Sequence, residues 1–390
     1  MRIRKSWTGA FAAGLFFLCL PHIGWADPIH PLSDDEVVEV LPASSGNRDD
    51  DRRLRKQLAE RPTDARLALT VARRDLDRAR EAGDPRFAGL ALAALRPWPN
   101  AATAPADVLL MRATLQQYLH EFDASIASLR QLLARPGGDR MAQAWLTLAT
   151  VLRVQGHYVD SDEACRGVAG AGAQVYSSAC LAENAGLRGD TSSARKTFET
   201  LLADPRLPPA GQGWLLTSLA ELEQRDGRAA AADTAFRAVL RLGPDSYAAV
   251  DYADFLIEQH RPAQALQVLK DETRTDAVLL RLAIAGKHAD AATAARDVAE
   301  MRDRIALANE RPDAQKFHGR EQAMFALFVE NDPARALQLA RGDVGQQREA
   351  IDVLVLAQAA RASKEQAAID EARQLKASLG LHDRRIDALL

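Results

Sequence analysis

The chain lacks the motifs that most enzyme chemistry requires. His-Glu-x-x-His does not occur, so a zinc-protease helix has no basis, and Gly-x-Ser-x-Gly is missing, which removes the esterase elbow. A phosphate loop needs a Gly-rich turn ahead of Lys and a hydroxyl residue; Gly167 to Gly172 comes nearest and has no such Lys. Apolar-polar alternation in β-branched residues is nearly absent, so almost no sheet is expected. Aromatics make up only 5% of the 390 residues, while charge is abundant and mixed. No basic stripe appears of the kind that releases counterions from nucleic acid, so a nucleic-acid partner is not expected. The histidines beyond residue 26, His30, His120, His157, His260, His288, His318 and His382, are scattered, and His120, His157 and His260 fall in inter-helix turns. The one compact polar cluster, His318-Gly319-Arg320-Glu321, reads as the start of a helix, where a Glu is favourable. No catalytic, metal or cofactor site is assigned, and the chain is not expected to be an enzyme.

What the chain has is recurrence. A small residue returns about every 34 residues, at Ala113, Ala149, Ala182, Ala220 and Ala253. A second small residue follows each, at Ser125, Ser161, Ala194, Ala232 and Ala265. Beyond it comes a larger one: Leu129, Cys165, Phe198, Phe236 and Leu269. Between the two small residues lie turns such as Gly156-His157-Tyr158, Gly189-Asp190-Thr191 and Gly227-Arg228-Ala229, where glycine suits a left-handed helix C-terminus. Prolines 136, 205, 208, 209 and 244 fall between units, where a helix must stop. Two antiparallel helices approach closely only where side chains are short, so a bulky residue at Ala149 or Ala220 should pry a pair apart. One helical hairpin repeated end to end accounts for this pattern, growing as a single body in which each unit touches its neighbours.

Trp145, Leu148, Ala149, Leu152, Gly156, Tyr158, Ser161, Cys165 and Val168 resemble the tetratricopeptide (TPR) consensus. Leu219, Ala220, Gly227, Ala232, Phe236, Val239 and Pro244 resemble it again. The resemblance implies an all-α, right-handed solenoid of about eight to nine antiparallel helix pairs. Clear copies cover about 106–270; weaker ones lie at 64–97 and 275–376, where Pro333, Ala336 and Ala368 keep the second-helix pattern but the Gly turn is lost. The chain also resembles exported bacterial TPR proteins of unassigned function, through 149–158, 252–262 and 318–327.

At the N-terminus Arg2, Arg4 and Lys5 precede an apolar run from Gly9 to Leu20, and Gly24-Trp25-Ala26 offers small residues to a signal peptidase. The run is too short for a good membrane-spanning helix. The expected organisation is a signal peptide at 1–26, a flexible acidic leader at 27–51, a solenoid of clear repeats at 52–270, and degenerate repeats with a C-terminal capping helix at 271–390. Cleavage after Ala26 would take away Arg2, Arg4 and Lys5 and no acid, moving the net charge from −3 to −6. Cys19 is preceded by Leu18 rather than a small residue, which disfavours a lipid anchor. Export to the periplasm leaves Cys165 and Cys180 in an oxidising compartment, on the second helix of one unit and the first helix of the next. The turn at Gly170-Ala171-Gly172 lies near their midpoint, so a hairpin brings them level; a disulfide and a pair of buried thiols both satisfy this placement.

By the TPR resemblance, the first helices form a concave wall. Its second position is Tyr176, Trp214 and Tyr247 in three consecutive repeats, and its ninth is Glu183, Glu221 and Asp254. Deeper along the first helices stand Tyr118, Arg153, Arg225 and Glu258. An aromatic row beside a carboxylate row suits an extended segment with apolar side chains and basic character. The alternative is that the aromatics pack repeat seams and the acids pair with arginines on the same face. The expected role is a non-catalytic periplasmic scaffold that binds a protein or peptide partner of the cell envelope in this groove. The other reading is an accessory subunit of an envelope export, transport or polysaccharide-synthesis assembly.

Overall fold

The computed structural model describes residues 48–310 and 314–390. The signal segment read at 1–26 and the leader up to residue 47 lie outside the described residues. The helical body is the unit Asp50–Leu390. No strand occurs among the described residues.

A lone helix, α1 (Arg48–Glu60), comes first, so helix begins inside the segment read as leader. Asp51, the last residue of that acidic leader, pairs with Arg74 at 3.2 Å and with Arg78. Nine hairpins follow. The first three are α2 (Ala65–Ala82) with α3 (Pro85–Ala94), α4 (Ala106–Tyr118) with α5 (Phe122–Leu133), and α6 (Ala142–Val154) with α7 (Tyr158–Gly170). The middle three are α8 (Gln174–Leu187) with α9 (Thr191–Leu202), α10 (Pro209–Arg225) with α11 (Ala229–Leu242), and α12 (Ser246–Glu258) with α13 (Pro262–Leu269). The last three are α14 (Asp276–His288) with α15 (Ala294–Asn309), α16 (Ala314–Met324) with α17 (Pro333–Val344), and α18 (Ala350–Ser363) with α19 (Gln366–Leu379). A π-helical turn, Phe325–Val329, extends α16, and a short α20 (Arg384–Asp387) closes the chain. The architecture is an all-α solenoid.

Local chemistry starts and stops these helices. Asp64, Asp190, Asp245 and Asp332 accept backbone N–H groups of the first turn, and Pro85, Pro209, Pro262 and Pro333 occupy first-turn positions that need no donor. Every hairpin turn carries one residue in the left-handed region. It is Gly83, Gly156, Gly189 or Gly227 in four hairpins, but His120, His260, Asp290, Asn331 and Lys364 in the others. The turn geometry therefore persists with or without glycine: Gly83 serves the weak repeat at 64–97, against the expectation that the Gly turn is lost there, while His120 and His260 serve clear ones.

The recurring small residues lie where the helices of a hairpin cross, and all are buried. Ser125 Oγ donates to the Ala113 carbonyl and Ser161 Oγ to the Ala149 carbonyl, each at 2.8 Å. Such a bond joins helix to helix through a single hydroxyl, and alanine fills the same place in the next three hairpins. Leu129, Phe198, Phe236 and Leu269 close the space one turn further on. Cys165 and Cys180 are joined by a disulfide, with Cα atoms 5.7 Å apart.

The C-terminal segment departs from nearest-neighbour stacking. Arg348 N–H donates to Val154 O of α6 and His382 N–H to Leu187 O of α8, both at 2.7 Å. Leu381 and Ile386 are buried in the same apolar cluster as Tyr158 and Leu187. The tail read as a cap over the last repeat thus runs back across the C-terminal ends of the middle first helices, whose last carbonyls have no partner within their own helix.

The left-handed turn positions make a direct prediction. His260→Gly, at an exposed site with φ 56°, removes Cβ strain and should raise stability by about 0.5–1 kcal/mol. Gly227→Ala, at φ 75° with Arg384 packed against it, should lower stability by about 1 kcal/mol or more. Urea unfolding of both variants checks the pair of signs.

Candidate binding cleft

The first helices α8, α10 and α12 form one wall of the concave face, and the polar side chains on it engage one another repeat by repeat. Tyr176 and Trp214 stack at 5.9 Å between ring centroids with planes 17° apart. The Trp214 indole N–H donates to Glu183 Oε1 at 3.0 Å, and Ser218 Oγ donates to the same oxygen at 2.5 Å. Arg153 completes this group with a 2.6 Å ion pair to the other Glu183 oxygen. One repeat on, Tyr247 Oη donates to Glu221 Oε1 at 3.2 Å, and Arg225 lies 3.4 Å from Glu221 Oε2. Asp254 receives Arg281 of α14 on both oxygens, at 2.9 and 2.7 Å.

The structure therefore brings Arg153, Tyr176, Glu183, Trp214, Glu221, Arg225, Tyr247 and Asp254 onto one wall. Tyr118 stands apart, its hydroxyl donating to the Ala79 carbonyl of α2 at 2.8 Å, a tie between early hairpins. The three acids of the ninth position each meet an arginine, and Tyr176 and Trp214 cover each other. Tyr247 differs: it keeps 64% of its surface in solvent. Even so, its hydroxyl is pushed well above the ordinary tyrosine range by Asp251 and Glu221, then by burial and by Glu349 on α18. A side chain that is open to water yet feels charges from the opposite helices sits in the mouth of a cleft.

The opposite wall was not foreseen from the sequence. Arg320 lies in the interior of α16, not at a solvated helix start, and binds Asp352 at 2.6 Å and Glu349 at 2.5 Å. Asp352 and Asp343 share this interior with Gln347, which donates to both. Gly319 lets Asp343 approach: a Cβ there would stand 2.9 Å from its Oδ1. Burial and the neighbouring Asp352 push the Asp343 carboxyl up to about 9. On the first wall, burial and the charges of Glu221 and Asp254 push Asp251 well above the carboxylate range. A hydrogen bond with Glu221 adds to the shift of Asp251, and Arg281, which binds Asp254 on both oxygens, opposes it only in part.

The tail forms the closed edge of the cleft. Arg385 pairs with Glu258 at 3.0 Å and with Asp383 at 2.6 Å, while Gln224 donates to Glu258 at 2.7 Å. His382 Nε2 lies 3.4 Å from Asp226 Oδ1, and Arg195 pairs with the other oxygen at 2.8 Å. Against its burial, Arg195 and His382 hold Asp226 below the carboxylate range. These pairings span 127 and 156 residues, a separation at which no local periodicity can signal contact.

Among solved structures, the chain is similar to the Rap protein complexed with Competence and Sporulation Factor. The identity is 12% and the TM-score 0.50, over 88% of this chain and 94% of that one. The TPR domain of P58(IPK) aligns at 13% identity over 79% of this chain and 98% of that one, with a TM-score of 0.23, at which superposition carries no argument. At such identities the likeness concerns the fold, a TPR-like helical solenoid. No family model matches the sequence, and no curated protein matches it.

The buried carboxyl pair has a pH signature. Asp343 keeps a proton when folded and loses it in the unfolded chain above about pH 4. Its stabilising contribution is therefore complete below that point and is lost progressively as pH rises toward about 9. Asp343→Asn, which cannot ionise, should raise stability by about 1–2 kcal/mol near pH 8.5 and change it little near pH 4.5. Thermal melts of both proteins across that range measure the difference.

Proposed function

We propose that this chain is a non-catalytic binding scaffold that works in the periplasm after export and holds an extended segment of a partner protein in its concave cleft. The observation that carries the reading is Tyr247, a large aromatic left open at the cleft mouth with its hydroxyl on Glu221. A rigid aromatic supplies contact area with few rotors to freeze, and the surplus of acid favours a segment of basic and apolar character. The similar Rap structure, solved with Competence and Sporulation Factor, offers a precedent for a solenoid of this shape taking a ligand. Export is supported by the basic start, the apolar run from Gly9 to Leu20 and the small residues at 24 and 26. The bond between Cys165 and Cys180 suits an oxidising compartment.

A photo-crosslinking residue at Tyr247 should capture a partner in the intact envelope, whereas one at Val159, 66% exposed on the second helix α7, should not. Equal capture at both positions would remove the cleft from consideration. Mass spectrometry of the unreduced mature protein should find it beginning at Asp27 with no free thiol. A chain that retains residues 1–26 in the cytosol would end the export reading.

A further inference from the structure

The cleft has two unlike edges. Tyr176 and Tyr247 lie in the first turns of α8 and α12, at the open edge. The opposite edge consists of the C-terminal ends of α8, α10 and α12, where carbonyls and the negative end of each helix dipole collect. Two acids stand there, Asp226 capping α10 and Glu258 as the last residue of α12. Carboxylates are the residues a helix C-terminus disfavours, so this edge is built for a cation rather than for helix stability.

That cation comes from the chain itself. Residues 381–386 read Leu-His-Asp-Arg-Arg-Ile. The His382 N–H donates to the last carbonyl of α8, and the His382 ring and Arg384 face Asp226 at 3.4 and 4.0 Å. Arg385 neutralises Glu258, and Leu381 and Ile386 are buried on either side. Burial, with the charges of Asp254 and Asp383, holds Glu258 above its usual range, and Arg385 and Gln224 oppose that shift. The segment hangs on Gly380, in the left-handed region with open space around its Cα, at the end of α19.

We propose that residues 381–386 are a tethered ligand of this acidic edge, and that the partner docks here with a segment of the same chemistry, two adjacent arginines flanked by aliphatic residues, by displacing the tail. This rests on the scaffold reading above and names its partner. The charge complementarity is on display in the seated segment: each acid of the edge is met by a basic group of the tail, and each apolar side chain of the tail has a pocket. A competing segment gains the same contacts without new chemistry, and the tail sets a threshold because it is always present at high effective concentration.

The test uses the full chain and a fluorescent peptide of residues 379–390. The variant His382→Ala/Arg384→Ala/Arg385→Ala loosens the tail. It should bind the peptide at least about ten-fold more tightly than the wild-type chain does. A peptide with alanine at both arginine positions should not bind. A chain with unchanged helical circular dichroism that ignores the native peptide overturns the proposal. Hydrogen exchange on the wild-type chain decides independently of that variant's folding. The His382 amide should exchange faster when excess peptide is present, and an amide that stays as protected as the buried part of α8 means that the tail never yields. Photo-crosslinking from Tyr247 reads separately. If a partner is captured there while the peptide fails in both assays, the scaffold stands and the tethered ligand falls; if nothing is captured while the peptide binds, the converse holds.

Discussion

The close crossing of two helices at paired small residues is the constraint on which the rest of the molecule depends. Helix axes separated by about 8–10 Å need short side chains at the contact. Ala113 against Ser125 and Ala149 against Ser161 meet that need so tightly that a serine hydroxyl reaches the facing carbonyl. The larger residue one turn later then has a single place to go, and Leu129, Phe198 and Phe236 all go there. Each hairpin is thereby fixed in angle and in register, and stacking transmits both to the next. The parallel alignment of α8, α10 and α12, and hence the alignment of their aromatic and acidic positions, follows from contacts on the other side of those helices.

Parallel first helices also sum their dipoles. A solenoid of this kind carries a row of free N–H groups along one edge of its concave face and a row of free carbonyls along the other. Most repeats leave the second row to water. Here α6 and α8 surrender their last carbonyls to Arg348 and His382, and the acids at the ends of α10 and α12 to His382, Arg384 and Arg385. The closure joins the last hairpin to the middle of a stack in which contacts otherwise fall between neighbours. Elsewhere in the stack Arg281 is buried, and its ion pair with Asp254 must be complete, because a buried charge without its partner is strongly destabilising.

The fold was legible because its determinants are local and periodic. Small-residue spacing, glycine turns and proline stops marked the hairpins from residue 106 to 270. Past that point the pattern decays for identifiable reasons. Asp290, Asn331 and Lys364 adopt the left-handed turn without being glycine, since Asn and Asp tolerate it best among side chains and an exposed Lys can bear the strain. The π-helical turn at Phe325–Val329 extends α16 with a wider turn and takes that hairpin off the regular helical spacing. The first wall of the cleft was legible to the same degree as the repeat, because position in the repeat assigns each side chain to a face. The second wall was not, because Arg320 meets Asp352 of the next hairpin, 32 residues on, in a stretch where the repeat pattern has decayed; the tail was not, because Arg385 meets Glu258 across 127 residues, which no spacing encodes.

The charge on both walls explains why the cleft does not simply close. Walls lined with alanine and aromatics would collapse on each other to remove apolar surface from water. Rows of carboxylates and guanidinium groups on both walls make such collapse costly, since any charge stripped of water needs a well-placed partner. The arginines supplied by the chain cover Glu183, Glu221, Asp254, Glu258 and Asp352, and the acids beyond that number hold protons instead, as Asp251 and Asp343 do. The two differ in kind. Asp343 is sealed between α16 and α18, so its proton is part of the fold. Asp251 lies on the first wall with the open Tyr247, and its raised carboxyl answers to Glu221 and Asp254 rather than to the packing of α16 against α18.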